Sequence, residues 1–346
     1  MKILAIDLGK FKSVACLLDT QTNQAQYETI AMQRGLIEGV LQRSQPQKVV
    51  IETCTNSNWV HDICQEQGYE VLVANPNQDA WQWRNVKRKT DKDDALKLAK
   101  LAALEQIPPV YVPAVEMRQY RCLVKYRKTL VWRMNQVRNS IRALLMAQGL
   151  TMPDRAKAWT LQGLAELSKH RKPLAECSLN ELWRGELDVE LTLLDTLEEQ
   201  YDQVEKQLNQ LAKQEERVQL LMTIPGVGRR TAEVIVTALD KPERFANARQ
   251  VSAYAGLVPD QRQSGQTNRL GAITRRGSRL LRGALVEVGW MLVRFNPWAR
   301  QTFERICGGQ KTRRKTAIVA LARKLLVRCW AMLRDKQPWN PDLQQS

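Results

Sequence analysis

Four acids and one distant hydroxyl raise the question of chemistry. Asp7 closes the apolar run Ile3-Leu-Ala-Ile6, and Glu52 closes Val49-Val-Ile51. Asp91 and Asp94 stand at i and i+3 on a segment that reads as a helix and so share one face, whereas Asp93 points elsewhere. Carboxylates that converge repel one another unless a cation neutralises them, and hard divalent ions such as Mg²⁺ prefer oxygen ligands of this kind. Held there, Mg²⁺ activates the attacking and leaving oxygens of phosphoryl transfer. Read singly, Asp91 and Asp94 are also ordinary first-turn acids that the helix dipole favours.

Ser264 precedes Gly265 in a stretch rich in breakers, residues 257–265, which reads as an exposed loop. Six arginines, Arg262, Arg269, Arg275, Arg276, Arg279 and Arg282, fall within residues 261–286, and no acid lies among them. A hydroxyl beside clustered guanidinium groups can attack a phosphodiester, because the arginines stabilise charge on the non-bridging oxygens. A Ser-Gly pair by itself is weak evidence and reads first as a solvated turn.

The elements that must position these groups follow from periodicity. Residues 3–8, 14–18 and 25–30 read as three short strands joined by hairpins. A helix over 36–42, a strand over 49–52, a helix over 59–67, a strand over 71–74 and a helix over 91–104 come next. Three antiparallel strands leading into parallel αβ units is the arrangement of an RNase H-like α/β domain, assigned to residues 1–112. In that topology the fourth strand neighbours the first, so Asp7 and Glu52 meet at one end of the sheet.

Residues 113–217 read as a helical coiled-coil spacer. Its first helix, 117–145, carries Leu130, Met134, Val137, Ile141 and Leu144 on one seam and has no acid. Its second, 182–211, repeats the spacing at Leu194, Leu197, Tyr201, Val204, Leu208 and Leu211 and is rich in acids. Matching seams of opposite charge imply that the two pair, within one chain or between subunits. Residues 218–346 read as a mainly α-helical domain ending in an amphipathic helix over 316–333.

The net charge of +17 calls for a polyanionic partner, because each Lys or Arg placed on a phosphate releases condensed counterions. Candidate contacts are Arg84, Lys87, Arg88 and Lys89 beside Trp81 and Trp83, then Lys311, Arg313, Arg314 and Lys315, with Arg323, Lys324 and Arg328 behind them. Ile224-Pro-Gly226-Val-Gly228, followed by Arg229 and Arg230, resembles the turn of a helix-hairpin-helix motif, whose glycines let backbone N–H groups approach a phosphate. No apolar window reaches the ~20 residues of a membrane helix, and no export signal is read at the N-terminus, so the expectation is a cytoplasmic protein. Seven scattered cysteines with no Cys-x-x-Cys pair and two histidines argue against a zinc site.

Taken together, the chain resembles the Asp-Glu-Asp-Asp transposases of bacterial insertion sequences, a group understood as bridge-RNA-guided serine recombinases. The matching segments are Ala5-Ile-Asp7, Ile51-Glu52, Lys89-Thr-Asp91-Lys-Asp-Asp94, Ile224-Pro-Gly-Val-Gly228, Tyr254-Ala-Gly-Leu-Val-Pro259, Ser264-Gly265 and Arg269-Leu-Gly-Ala-Ile-Thr-Arg-Arg-Gly277. The resemblance implies a RuvC-like N-terminal domain, a coiled-coil spacer and a C-terminal transposase domain. It further implies that Asp7, Glu52, Asp91 and Asp94 bind Mg²⁺ and that Ser264 becomes linked to DNA. Where the family loop often reads Ser-Ser-Gly, Gln263 takes the first place. Donor and target DNA, a guiding non-coding RNA, and assembly as a dimer to tetramer are the implied partners. Two other readings stay open: a RuvC-like structure-selective endonuclease that uses metal-activated water, and a catalytically silent nucleic-acid-binding module.

Overall fold

Strands buried on both faces read as unbroken apolar runs, and two such runs make the centre of the N-terminal sheet. Strand β1 (Lys2–Asp7) buries Ile3 through Ile6, and β4 (Lys48–Glu52) buries Val49, Val50 and Ile51. They pair in parallel, flanked by β2 (Lys12–Asp19), then the largely exposed β3 (Gln24–Ala31) on one side and β5 (Glu70–Ala74) on the other, in the order β3-β2-β1-β4-β5. The computed structural model describes residues 1–75, 90–152, 157–264 and 267–341.

Alternation along β1 and β4 splits the core of this unit into two layers. Leu4, Ile6, Val49 and Ile51 pack with helices α1 (Arg34–Ser44) and α2 (Ser57–Glu66) through Ile37, Leu41, Val60 and Ile63. Ile3, Ala5 and Val50 pack on the opposite face with α3 (Asp91–Ala103) through Leu98, Ala99 and Ala102. The element order and the place of β4 beside β1 are those expected of the RNase H-like arrangement.

The chain divides into two compact units, Met1–Pro113 and Ala114–Ser346, so the helical spacer and the C-terminal region fall in one unit. In the second unit α4 (Val115–Ala147) and α6 (Leu182–Gln214) pair within the chain. Leu130, Met134, Val137, Ile141 and Leu145 bury against Leu187, Leu191, Leu194 and Leu197, while α5 (Leu161–Ser168) adds Leu167. The pairing is antiparallel, since Arg138 meets Glu198 at 2.7 Å and Arg127 meets Glu205 at 3.4 Å. The opposite charges read from the sequence therefore do face each other at these two points.

A larger core joins the near ends of α4 and α6 to short helices: α7 (Glu216–Met222), α8 (Arg229–Leu239), α9 (Ala248–Tyr254), α10 (Arg279–Phe295), α11 (Pro297–Cys307) and α12 (Arg314–Asp335). Every residue of α8 from Ala232 to Leu239 is buried. One expectation fails here: within the expected loop over 257–265, residues 259–264 form a strand. Strands β6 (Pro259–Ser264) and β7 (Thr267–Ile273) form an antiparallel ribbon instead. Polar residues dominate it, so it shows neither of the apolar periodicities by which a strand is recognised. Among the described residues, no helix is long and apolar enough to cross a membrane.

Candidate active site

The acids of the first unit are set by strand register. Ile6 lies opposite Ile51 in the parallel β1–β4 pair, so Asp7 and Glu52, one residue further on each strand, end level with each other. Both follow by two the residues that face α3, namely Ala5 and Val50, and strand alternation directs them to that same face. Both are half-buried.

Helix α3 supplies the other two. Its buried stripe is Ala95, Leu98, Ala99 and Ala102. Asp94 borders that stripe and is half-buried, whereas Asp91 is exposed. Asp93 has a different task. The Thr90 backbone N–H donates to its carboxylate at 3.2 Å and the Thr90 hydroxyl at 2.6 Å, while the Asp93 N–H donates back to the Thr90 hydroxyl at 3.3 Å. This capping box fixes where the helix begins and therefore where Asp91 and Asp94 stand. The signal Thr90-x-x-Asp93 was present in the sequence and was not read there.

A clamp also missed from the sequence holds the two strand ends. Asn56, in the turn after β4, donates its side-chain N–H to the Gly9 carbonyl at 2.9 Å, and the Gly9 N–H donates to the Ser13 hydroxyl at 3.1 Å. A Cβ on Gly9 would lie 2.0 Å from the Lys12 carbonyl oxygen, so no larger residue fits that turn. The clamp ties the segment after Asp7 to the segment after Glu52.

Four carboxylate positions suit a hard divalent ion by donor type. Among the described residues, however, no group of three or more His, Cys, Asp or Glu side chains lies close enough together to hold a metal ion. The structure brings Asp7 and Glu52 to one level on α3's side of the sheet, and Asp94 to the inner side of α3; it does not close the four acids into a ligand cage. Arg84, Lys87, Arg88, Lys89, Trp81 and Trp83 lie outside the described residues.

In the second unit Ser264 is the last residue of β6, opposite Thr267, and is exposed at the end of the ribbon. Arg262 pairs in register with Arg269, whose side chain is exposed; Gly265 is outside the described residues. The base of the ribbon is built by two glycines in the left-handed region. A Cβ on Gly256 (φ +65) would lie 2.1 Å from the Arg276 carbonyl oxygen, and one on Gly277 (φ +80) would lie 2.1 Å from that of Tyr254. These distances explain why Tyr254-Ala-Gly256 and Arg275-Arg-Gly277 carry glycine at those places. Arg282, read as a phosphate ligand, donates instead to the carbonyls of Ala255, Arg276 and Gly277 at 3.1, 2.8 and 3.2 Å. Arg275, Arg276 and Arg279 remain exposed around that base.

The turn at residues 224–228 leads into α8 with Gly228 at the N-cap. Of the two arginines expected to meet phosphate there, Arg229 is engaged internally: it pairs with Glu205 and with Glu233, the latter at 2.6 Å. Glu233 is fully buried and also meets Arg127 at 2.5 Å, a knot that joins α4, α6 and α8. Burial alone would raise the Glu205 carboxyl, but the Arg229 hydrogen bond and the charges of Arg127, Arg229 and Arg230 hold it below the usual range. Arg230 is 63% exposed on its side chain, although its Nε lies 3.0 Å from Glu205. Lys311, Arg313, Arg314 and Lys315 form an exposed run before and into α12.

These features can be set beside known proteins. The family described as DEDD transposase of the IS110 type matches residues 4–148, and the IS116/IS110/IS902 transposase family matches residues 218–304. The chain is 28% identical over 351 aligned residues to the transposase for insertion sequence element IS1111A of Coxiella burnetii, covering 98% of this chain and 92% of that one. It is 26% identical over 262 residues to the pilin gene-inverting protein of Moraxella bovis, covering 75% and 70%. A Thermus thermophilus RuvC structure is similar over 32% of this chain and 100% of its own, at 15% identity and a TM-score of 0.25.

Proposed function

The chain belongs to the IS110 family of DEDD transposases, and from that premise we propose that it cuts and rejoins the DNA of an insertion sequence through a serine-linked intermediate. The observation that carries the serine step is the position of Ser264 at the exposed end of the β6–β7 ribbon. A nucleophile that must reach into a phosphodiester needs exposure, and the ribbon offers it.

In this reading the Ser264 Oγ attacks phosphorus, a sugar oxygen leaves with the serine's proton, and a serine phosphodiester forms. A hydroxyl of the partner strand then attacks the same phosphorus, returning the proton and freeing Ser264. Atoms and charge balance without an external cofactor being consumed, which suits rejoining of ends. Arg269, Arg275, Arg276 and Arg279 surround the ribbon with positive charge, which favours the extra negative charge of the transition state. Asp7, Glu52, Asp94 and Asp91 would hold Mg²⁺, which when bound neutralises charge on the phosphate oxygens. The level placement of Asp7 and Glu52 supports this role.

A guide RNA that pairs with donor and target DNA, and assembly of two to four copies, belong to the same reading. The net charge of +17 supports a polyanion larger than the few phosphates at a cut site. Arg230, Lys311, Arg313, Arg314 and Lys315 are exposed cations suited to backbone contact.

The test is a strand-transfer assay on element-end DNA with Ser264→Ala and Asp7→Ala, together with denaturing gels for a protein–DNA adduct. Both variants are expected to lower strand transfer by about a thousandfold or more, as removal of a nucleophile does elsewhere. Wild type is expected to leave an adduct that maps to Ser264. Cutting that survives Ser264→Ala but not Asp7→Ala would identify a metal-dependent nuclease using water. Activity unaffected by either would leave a binding module.

A further inference from the structure

The outward side of α4 carries a second feature that the cutting chemistry does not use. From Met117 to Pro153 the sequence has eight Arg and Lys residues and no acid. Six of these eight cations fall into two sets. Arg127 and Arg138 are committed to Glu233 and Glu198, and Arg121 donates to the Thr237 carbonyl at 2.8 Å. Lys125, Lys128 and Arg133 face outward and are exposed.

Spacing along the outer ridge adds aromatic and amide groups. Lys125, Lys128, Trp132, Gln136 and Asn139 recur at intervals of three and four, opposite the buried seam, and all are exposed. Trp132 is 60% exposed and Tyr126 is 38% exposed, with the Arg133 guanidinium 6.0 Å from the Tyr126 ring centre. The ridge from Lys125 to Asn139 spans roughly 21 Å at the helical rise. Single exposed apolar residues are commonplace. An exposed indole set among outward cations, with hydrogen-bonding amides further along the same ridge, is a combination suited to one kind of partner.

We propose that this ridge binds an unpaired strand of DNA, with Trp132 stacked on a base and Lys125 and Lys128 on flanking phosphates. Stacking needs a base whose face is free, which a duplex does not offer, and it tolerates any sequence because every base has such a face. The absence of acids along this stretch of helix complements a polyanion, whereas Glu186, Asp195, Glu199 and Asp202 on α6 are exposed and would repel one. A second copy of the chain would be favoured by a broad apolar ridge; here one indole stands among cations and amides. The inference rests on the reading of the protein as a DNA-processing enzyme but not on the role of Ser264. Should strand transfer survive Ser264→Ala while Trp132→Ala weakens single-strand binding, the serine chemistry falls and this site stands.

The experiment is fluorescence anisotropy with the full chain, a labelled single-stranded DNA of about 20 nucleotides, the matching duplex and the matching RNA, in EDTA. Trp132→Ala is expected to weaken single-stranded DNA about tenfold and the duplex by less than about twofold, with Trp132→Phe retaining most of the affinity. Replacing Lys125 and Lys128 by Gln is expected to lower the salt slope by about 1.4. Equal losses on duplex and single strand, no loss on either, or tighter binding of the RNA strand than the DNA strand would overturn the proposal. So would a change in sedimentation showing that Trp132→Ala breaks self-association. Circular dichroism melting checks that the variants fold; if Trp132→Ala does not, Trp132→Phe and the lysine pair carry the test.

Discussion

The acid-bearing edge of the sheet and the serine-bearing ribbon are built on opposite principles. Asp7 and Glu52 end strands whose preceding residues are buried on both faces, and a side-chain clamp from Asn56 to Gly9 ties the two ends together. Ser264 ends a strand whose partner β7 is exposed from Thr267 to Ala272, and the ribbon is secured at its base through Gly256, Gly277 and Arg282. The difference teaches that placement of the acids is a property of a packed core, while placement of the hydroxyl is a property of one interlocked turn. Ligands for a small ion gain from a core that limits their spread. A nucleophile that must engage a large substrate gains from standing clear of the core.

Three substitutions probe that contrast. The largest effect is expected from Gly9→Ala, because a Cβ 2.0 Å from a backbone carbonyl forces the β1–β2 turn open. A loss of about 3 kcal/mol in stability is expected, read as a lower midpoint in urea unfolding. An unchanged midpoint would mean that the turn is adaptable and that the sheet edge is no firmer than the ribbon.

Asn56→Ala is expected to cost about 1 kcal/mol, the size of one lost hydrogen bond, and to lower Mg²⁺-dependent strand transfer by more than this stability loss accounts for. Equal rates for variant and wild type would show that the clamp does not serve the acids. The smallest effect on stability is expected from Leu270→Ser on β7. That side chain is 67% exposed, so the unfolding free energy should change by less than about 0.5 kcal/mol. A large loss would show that the ribbon is covered by something else in the folded protein, and the contrast would fail.

Much of the first unit was legible in the sequence. The apolar runs at Ile3-Leu-Ala-Ile6 and Val49-Val-Ile51 read as strands, and the RNase H-like order of elements made the fourth strand the neighbour of the first, as it is in the sheet. The heptad-like seams of α4 and α6 likewise identified a helix pair. The ribbon was not legible, since Asp260, Gln261, Arg262, Gln263 and Ser264 show no apolar alternation. The internal partners of Arg229 and Arg282 were not legible for a different reason. A guanidinium that bonds a carboxylate or a carbonyl within the fold looks, in sequence, like one that waits for phosphate.

What the sequence alone determined were the local periodicities and the net charge of +17, because side-chain chemistry and spacing are properties of the chain itself. It determined which runs form strands and which helices bury a stripe. Only the tertiary structure decided that α4 and α6 pair inside one chain, that Glu233 collects Arg127 and Arg229, and that Trp132 faces outward. Those facts depend on contacts between residues far apart in the chain. Which cation meets which anion is decided by packing geometry, and composition is the same whichever pairing forms.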